Sequence, residues 1–507
     1  MLTRRTALTM LPAGLFAPYL SRAHTRVRPG NFGTGLNLSG TNYWASEQPF
    51  ANLAHNAAPW RLQVGNAPFT WDNPLPPLTS LGYPTHIPTG SFLESFLVYT
   101  PHRHHLPLNL FFYFEGQGRF TFTGGAEIVS RHDGFDRIRN LRRPDAITLC
   151  LHQTHPDDPL RNIRLFDEEQ KSDGDFRTRF LDRLKGMSVL RFMDWMSTNN
   201  SRVRTWKERP VQSSFGRSED GVALETLVDL SNRTGIAPWF NLPHGASNKF
   251  VENFAETVRT RLDPSLPVFV EYSNEVWNSI FQQSSYAQEQ GLASNLSNNP
   301  FEAQLRFYAK RTTEVLKIWE RVFGDDAKRI KGVYAAQSAN PWTSETILNF
   351  PDVLRHADVL AIAPYFGGLL GSPEMASRVQ SWSLDKLFTV LRNELETSNQ
   401  QQILAQAQIA RQYGLELVAY EGGQHLVGIG GAENNDRLTD LFIAANRDVR
   451  MKELYRRHLA IWENAGGGTY AFFSSMSEPS KWGSWGLLEH EDDEQPKWDA
   501  IQMFLGH

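Results

Sequence analysis

The chain has 507 residues, 40% of them hydrophobic and 21% charged, which suits a folded protein with room for a main domain and an accessory module. A net charge of −4 with no long run of one sign excludes the electrostatic footprint of a binder of nucleic acid or anionic membrane. The single cysteine, Cys150, excludes an intramolecular disulfide and lies in an apolar run that reads as a packed strand.

Taken in chain order, residues 1–23 pair Arg4 and Arg5 with an apolar stretch over 7–20 and small residues at Ser21 and Ala23. This is the layout of an export signal. The paired arginines resemble a twin-arginine signal, with Ala7 where a Phe is usual. A periplasmic or secreted protein is therefore expected, with a mature chain starting near His24, and no later run is apolar enough to span a bilayer.

Residues 24–58 supply one strand, at 33–43, and its loop. Residues 59–166 read as short strands at 92–99, 108–114, 119–123, 126–130, 146–151 and 162–166, with breaks such as Gly116 to Gly118 and Gly124-Gly125 between them. That spacing predicts a β-sandwich-like module. His102, His104 and His105 fall in it without carboxylates or cysteines at ligand spacing, so no metal site is predicted.

Over 167–507 the texture changes to strand then helix. Strands are predicted at 188–194, 236–242, 268–274, 332–337, 359–364, 415–420 and 469–474, and helices at 224–234, 250–262, 301–322, 403–413 and 450–464. With the strand at 33–43 this makes eight, and eight βα units close into a (β/α)8 TIM barrel with the β-sandwich-like module inserted between strands one and two. An open doubly wound sheet is the alternative. No Gly-rich phosphate loop follows the first strand, and the glycines at 428–431 read as a flexible loop. The absence of a Gly-x-Ser-x-Gly elbow argues against an α/β-hydrolase.

Barrel chemistry resides at the C-terminal ends of strands. The fourth strand ends in Glu271, Tyr272, Ser273, Asn274, Glu275, Val276, Trp277 and Asn278; the seventh ends in Tyr420, Glu421, Gly422, Gly423, Gln424 and His425. Two carboxyl groups where apolar strands exit into loops match what glycoside hydrolysis needs: one protonated to donate to the leaving oxygen, the other ionised to attack the anomeric carbon. Glu271 competes with Glu275, because pleat alternation puts 271, 273 and 275 on one face. Lying deeper, Glu271 reads as a buried partner for an arginine, with Arg191 as candidate.

An Asn-Glu pair ending strand four and a Glu ending strand seven resemble the clan A glycoside hydrolases. The longer string from Glu271 to Asn278 is similar to secreted bacterial proteins labelled glycosyl hydrolase or cellulose-binding, and the likeness covers roughly residues 30–55 and 160–505. The resemblance implies a retaining mechanism with carboxyls roughly 5–5.5 Å apart, Glu275 as acid/base, Glu421 as nucleophile, Asn274 on the sugar 2-hydroxyl, and no cofactor. It implies that Arg191 on strand two supports the nucleophile and that Tyr365 after strand six hydrogen-bonds it. It also implies a Trp platform after strand eight, for which Trp482 and Trp485 both stand further along the chain than the family pattern. Asp194, Trp195, Asn241 and His244 at the mouths of strands two and three are candidate substrate contacts, and Trp44 after strand one is a candidate for an outer subsite. The partner is then a β-linked polysaccharide or oligosaccharide, with β-glucan the first expectation. The same residues would serve a transglycosylase remodelling an exopolysaccharide, and the fold alone would serve a non-catalytic polysaccharide-binding protein.

Overall fold

A computed structural model describes residues 33–67, 70–99, 109–140, 146–168, 172–216 and 220–505. The expected export signal, and His102, His104 and His105, lie outside the described residues.

Eight short parallel strands close into a barrel. They are β1 (Thr34–Asn37), then β12 (Val189–Arg191), β13 (Ala237–Leu242), β14 (Val268–Tyr272), β15 (Ile330–Ala335), β16 (Val359–Ile362), β17 (Glu416–Ala419) and β18 (Tyr470–Phe473). Closure comes from β18 pairing with β1, with Thr34 opposite Tyr470 and Asn37 opposite Phe473. These strands are apolar and buried along nearly their whole length, as a sheet covered on both faces requires. Helices supply the outer cover. Leu224–Thr234 stops at Gly235, whose φ of +68° ends the helix in the left-handed region. Pro300–Phe323 starts with proline in its first turn and is capped by the Asn299 side chain.

Between β1 and β12 the chain makes β2 (Arg61–Val64), β3 (Ser91–Tyr99), β4 (Asn109–Glu115), β5 (Gly118–Thr123), β6 (Ala126–His132), β7 (Phe135–Asn140), β8 (Ala146–Thr154) and β9 (Arg161–Asp167). A two-residue hairpin, β10 (Ser172–Asp173) and β11 (Phe176–Arg177), follows. The eight longer strands form two four-stranded antiparallel sheets, β2-β3-β8-β5 and β6-β7-β4-β9. They enclose a core separate from the barrel's, built on Trp60, Leu97, Phe112, Phe120, Leu149 and Leu165. Cys150 is buried in β8, as its apolar run implies.

The inserted module thus holds two strands that sequence patterning does not pick out. β2 follows a loop without a turn signature, and β7 carries Asp136, Arg137 and Arg139, whose charges mask its alternation. In the barrel the difference runs the other way. The ladder stops at Arg191, Tyr272 and Ala419, short of the predicted ends at 194, 274 and 420, so the residues with chemistry lie just past the pleat.

Candidate active site

Arg191 ends β12 fully buried and organises the floor of the barrel mouth. Its Nη1 donates to Glu421 Oε1 at 2.8 Å and to Asn37 Oδ1 at 3.1 Å. Its Nη2 donates to Glu271 Oε2 at 2.9 Å and to Asn274 Oδ1 at 2.8 Å, and its Nε donates to Glu271 at 3.1 Å. Glu271 also accepts from Trp239 Nε1 and Asn241 Nδ2, both at 2.8 Å. Burial pushes the Glu271 carboxyl up and Arg191 opposes it. Fully buried, with guanidinium, indole and amide all donating to it, Glu271 has its oxygens engaged inside the barrel. It is the buried partner of Arg191 that its depth on the strand implies.

Past Tyr272 the chain leaves the pleat. Ser273 and Glu275 both take positive φ, +62° and +40°, a region that costs a residue with a Cβ roughly 1–3 kcal/mol. Strand alternation therefore does not set the direction of Glu275; this turn does. Its Oε1 accepts from the Tyr420 hydroxyl at 2.9 Å and its Oε2 from Asn278 Nδ2 at 2.8 Å. Across the mouth, Glu421 follows β17, and its Oε2 accepts from the Tyr365 hydroxyl at 3.0 Å. Gly422 and Gly423 come next because the Tyr470 and Tyr455 hydroxyls press on them: a Cβ at Gly422 would collide with the former, and Gly423 sits at a φ of +135°.

The two carboxyl groups meet unlike surroundings. Burial raises both above the ordinary carboxyl range. At Glu421, Arg191 pulls it back down while the charges of Glu275 and Asp194 push it further up. Among the described residues Glu275 touches only neutral donors, and Arg191 acts on it from a distance. Two carboxyls that interact this way shed protons as a pair. The cation in contact with Glu421 favours the state with the charge on Glu421 and the proton on Glu275.

The other expected site residues fall into three groups. Asp194, Tyr365 and Trp485 stand at the mouth. Asp194 is half-buried, burial pushes its carboxyl up to about 6, and its charge reaches Glu421. The Trp485 ring packs against Tyr365 at 5.9 Å, His425 at 5.0 Å and Phe473 at 5.7 Å, whereas Trp482 is 63% exposed with no ring contact to that cluster among the described residues. Of the two, Trp485 is therefore the one beside the carboxyls. A second group supports from behind. Asn274 is held between Arg191 and Asn199, to whose Oδ1 it donates at 3.0 Å, and Asn241 is fully buried on Glu271 rather than open to a ligand. His244 is buried, with its Nδ1 lacking a hydrogen-bond partner among the described residues.

Trp195 is a correction. Its indole is fully buried, donates to Ser39 O at 2.9 Å and packs on Phe50, Phe180 and Phe192, so it is core and touches no cleft. Trp44 stands apart, 51% exposed on the loop after β1.

Of three further contributors, two carry no sequence signal of their own and the third carries only a local one. Asn37 ends β1 and bonds Arg191 while its amide donates to the Tyr420 and Phe472 carbonyls. Tyr420 precedes Glu421, where alternation would aim it away from the site. Asn278 reaches Glu275 three residues on, a local spacing that could have flagged it.

Among the described residues no group of three or more His, Cys, Asp or Glu side chains is arranged to hold a metal ion.

No protein-family model matches the chain, and no curated protein matches it. Solved structures resemble it in fold at low identity. A GH51 arabinofuranosidase from Xanthomonas axonopodis pv. citri is 11% identical, covers 67% of this chain and 68% of its own, and has a TM-score of 0.41. Fungal β-1,4-galactanases are 12% identical, with 65% and 92% covered and a TM-score of 0.38. A GH5-4 broad-specificity endoglucanase from Clostridium acetobutylicum is 11% identical, with 67% and 92% covered and a TM-score of 0.36.

Proposed function

We propose that the protein is a retaining glycoside hydrolase acting on β-linked polysaccharide or oligosaccharide, with β-glucan as first substrate. The observation that carries the reading is the asymmetry of the two carboxyl groups: Glu421 lies on the Arg191 guanidinium and Glu275 on neutral donors.

In the first step a Glu421 carboxylate oxygen attacks the anomeric carbon as the glycosidic C–O bond breaks, and Glu275 gives its proton to the leaving oxygen. Glu275, now ionised, takes a proton from water, and that water displaces Glu421 from the sugar. Tyr365 and Arg191 hold the Glu421 carboxylate in place before attack, and Trp485 offers a flat face to the sugar beside it. The opening segment supports export as the setting for a polymeric substrate, and a reporter fused behind residues 1–23 would test that setting.

The test uses an activated aryl β-glucoside and azide. Glu275→Ala should lose turnover of substrates with poor leaving groups, and azide should rescue the activated one to give the β-glycosyl azide. Glu421→Ala should give the α-azide. Inverted product from the wild type would overturn the retaining mechanism, and no hydrolysis of aryl glycosides or β-glucan, mannan and xylan polymers would overturn the proposal in favour of a binding protein.

A further inference from the structure

A group of aromatic side chains lies outside the mouth and joins the barrel to the inserted module. Tyr43 is its centre. Its ring meets Trp44 edge-on at 4.6 Å, stacks on Phe96 at 5.3 Å, and lies 6.4 Å from Trp71 and 6.3 Å from Tyr99. The loop after β1 supplies Tyr43 and Trp44, the loop after β2 supplies Trp71, and β3 supplies Phe96 and Tyr99. The Tyr99 amide donates to the Tyr43 carbonyl at 3.0 Å, which ties the barrel loop to the module's sheet. The Arg61 guanidinium lies 5.1 Å from both the Trp71 and Phe96 ring centres while it pairs with Glu94 at 2.8 Å, so Trp71 is braced from below.

Trp44 and Trp71 are nonetheless half exposed, at 51% and 50%. Large indoles fixed in place yet left open cost apolar exposure without serving the module's core, which is built from other residues. The surface also continues from the site. Asp194 and the Asn42 amide both lie against Gly40, and Tyr43 and Trp44 come directly after Asn42. The Asn42 Oδ1 is buried with no hydrogen-bond partner among the described residues, an acceptor in need of a donor along this path.

We propose that Tyr43, Trp44, Trp71 and Tyr99 form an outer binding surface for a β-glycan chain, built jointly by barrel and module, on which sugar rings stack by their C–H faces. This rests on the glycosidase reading of the mouth. It gives the inserted module a role in holding long substrates rather than only bracing the barrel.

The test measures binding of cellohexaose, laminarihexaose and mannohexaose to the full chain carrying Glu421→Gln, by calorimetry. For wild-type catalysis it also measures the ratio of kcat/KM on the hexasaccharide that binds to that on the matching disaccharide aryl glycoside. Trp71→Ala and Trp44→Ala should each weaken hexasaccharide binding about tenfold, as loss of one stacked aromatic face implies, and lower that ratio to match. Val129→Ala, an exposed change on the other sheet, should leave both as they are. Retention of fold in the tryptophan variants is checked by circular dichroism and, where Ala destabilises, Trp→Phe should keep part of the affinity. Unchanged affinity and ratio in both tryptophan variants overturns the surface while leaving the glycosidase reading intact. Failure of all three hexasaccharides to bind the Glu421→Gln chain also overturns it, and absence of wild-type hydrolysis of any substrate overturns the glycosidase reading separately.

Discussion

Replacing Arg191 with Met removes the one cation that the described residues place at the floor of the mouth. Arg191 gives hydrogen bonds to Glu271, Glu421, Asn37 and Asn274, all in the interior. After the change, Glu271 keeps Trp239 and Asn241 as its donors among the described residues and becomes a buried carboxyl that has lost its Arg191 counter-charge. Breaking a buried ion pair from one side costs about 3–5 kcal/mol, most of it the penalty on the charge left behind. Arg191→Met should therefore lower the unfolding free energy by about that amount in urea denaturation. If the stranded charge is the cause, Glu271→Gln in the same chain should return about 1–3 kcal/mol, the coupling expected for two groups in direct contact. Activity follows a separate path. Arg191 pulls the Glu421 carboxyl down, so its loss should shift the acidic limb of kcat/KM to higher pH in any variant that still folds. A stability loss under about 1 kcal/mol, or strictly additive single and double variants, would refute the reasoning that Arg191 neutralises Glu271.

Two further tests separate neighbouring groups. Tyr365 donates to Glu421 and Tyr420 to Glu275, so each hydroxyl favours the ionised form of its own carboxyl. Tyr365→Phe should move the acidic limb of kcat/KM upward, Tyr420→Phe should move the alkaline limb upward, and each should cost about 10- to 100-fold in rate, as loss of a hydrogen bond to a charged group implies. Both variants moving the same limb would show the assignments to be wrong. Lys497 is buried with its Nζ on the Ser484 carbonyl at 2.7 Å, under the loop that carries Trp485, and burial brings its ammonium down to about 7. The unfolded chain keeps that proton up to about pH 10, so it binds more protons than the folded chain between about pH 7 and pH 10, and stability should rise with pH there by up to about 1.4 kcal/mol per unit. Lys497→Met should abolish that rise in urea denaturation at pH 7, 8 and 9; an unchanged slope contradicts it.

Much of the barrel is legible in the sequence because its signals are physical and local. Apolar runs of strand length alternate with amphipathic helices, and the helices Leu224–Thr234 and Arg450–Asn464 end where periodicity says they do. Glu271 and Arg191 could be paired by depth along their strands, and the structure joins them. What patterning misses depends on chain geometry beyond the ladder. Glu275 owes its direction to two residues at positive φ, which no period encodes. Tyr420 reaches Glu275 from the far side of the mouth, and Asn37 meets Arg191 because β1 pairs with β12 across the long insertion, with the two residues opposite each other. Trp195 is the converse case: a large aromatic at a strand mouth looks like a substrate contact, yet the loop after β1 folds over it and makes it core.

The central claim is that Glu421 forms a covalent bond to the sugar while Glu275 moves the proton. Incubating the wild-type chain with a 2,4-dinitrophenyl 2-deoxy-2-fluoro-β-cellobioside and mapping the modified peptide by mass spectrometry tests it most directly, because the fluorine slows both steps while the good leaving group speeds only the first, so the glycosyl-enzyme accumulates. The expected result is one fluorocellobiosyl group per chain, on Glu421, lost on incubation with an acceptor sugar as activity returns. A chain that hydrolyses the non-fluorinated glycoside but carries no adduct, or carries it on Glu275 or Glu271, would contradict the account.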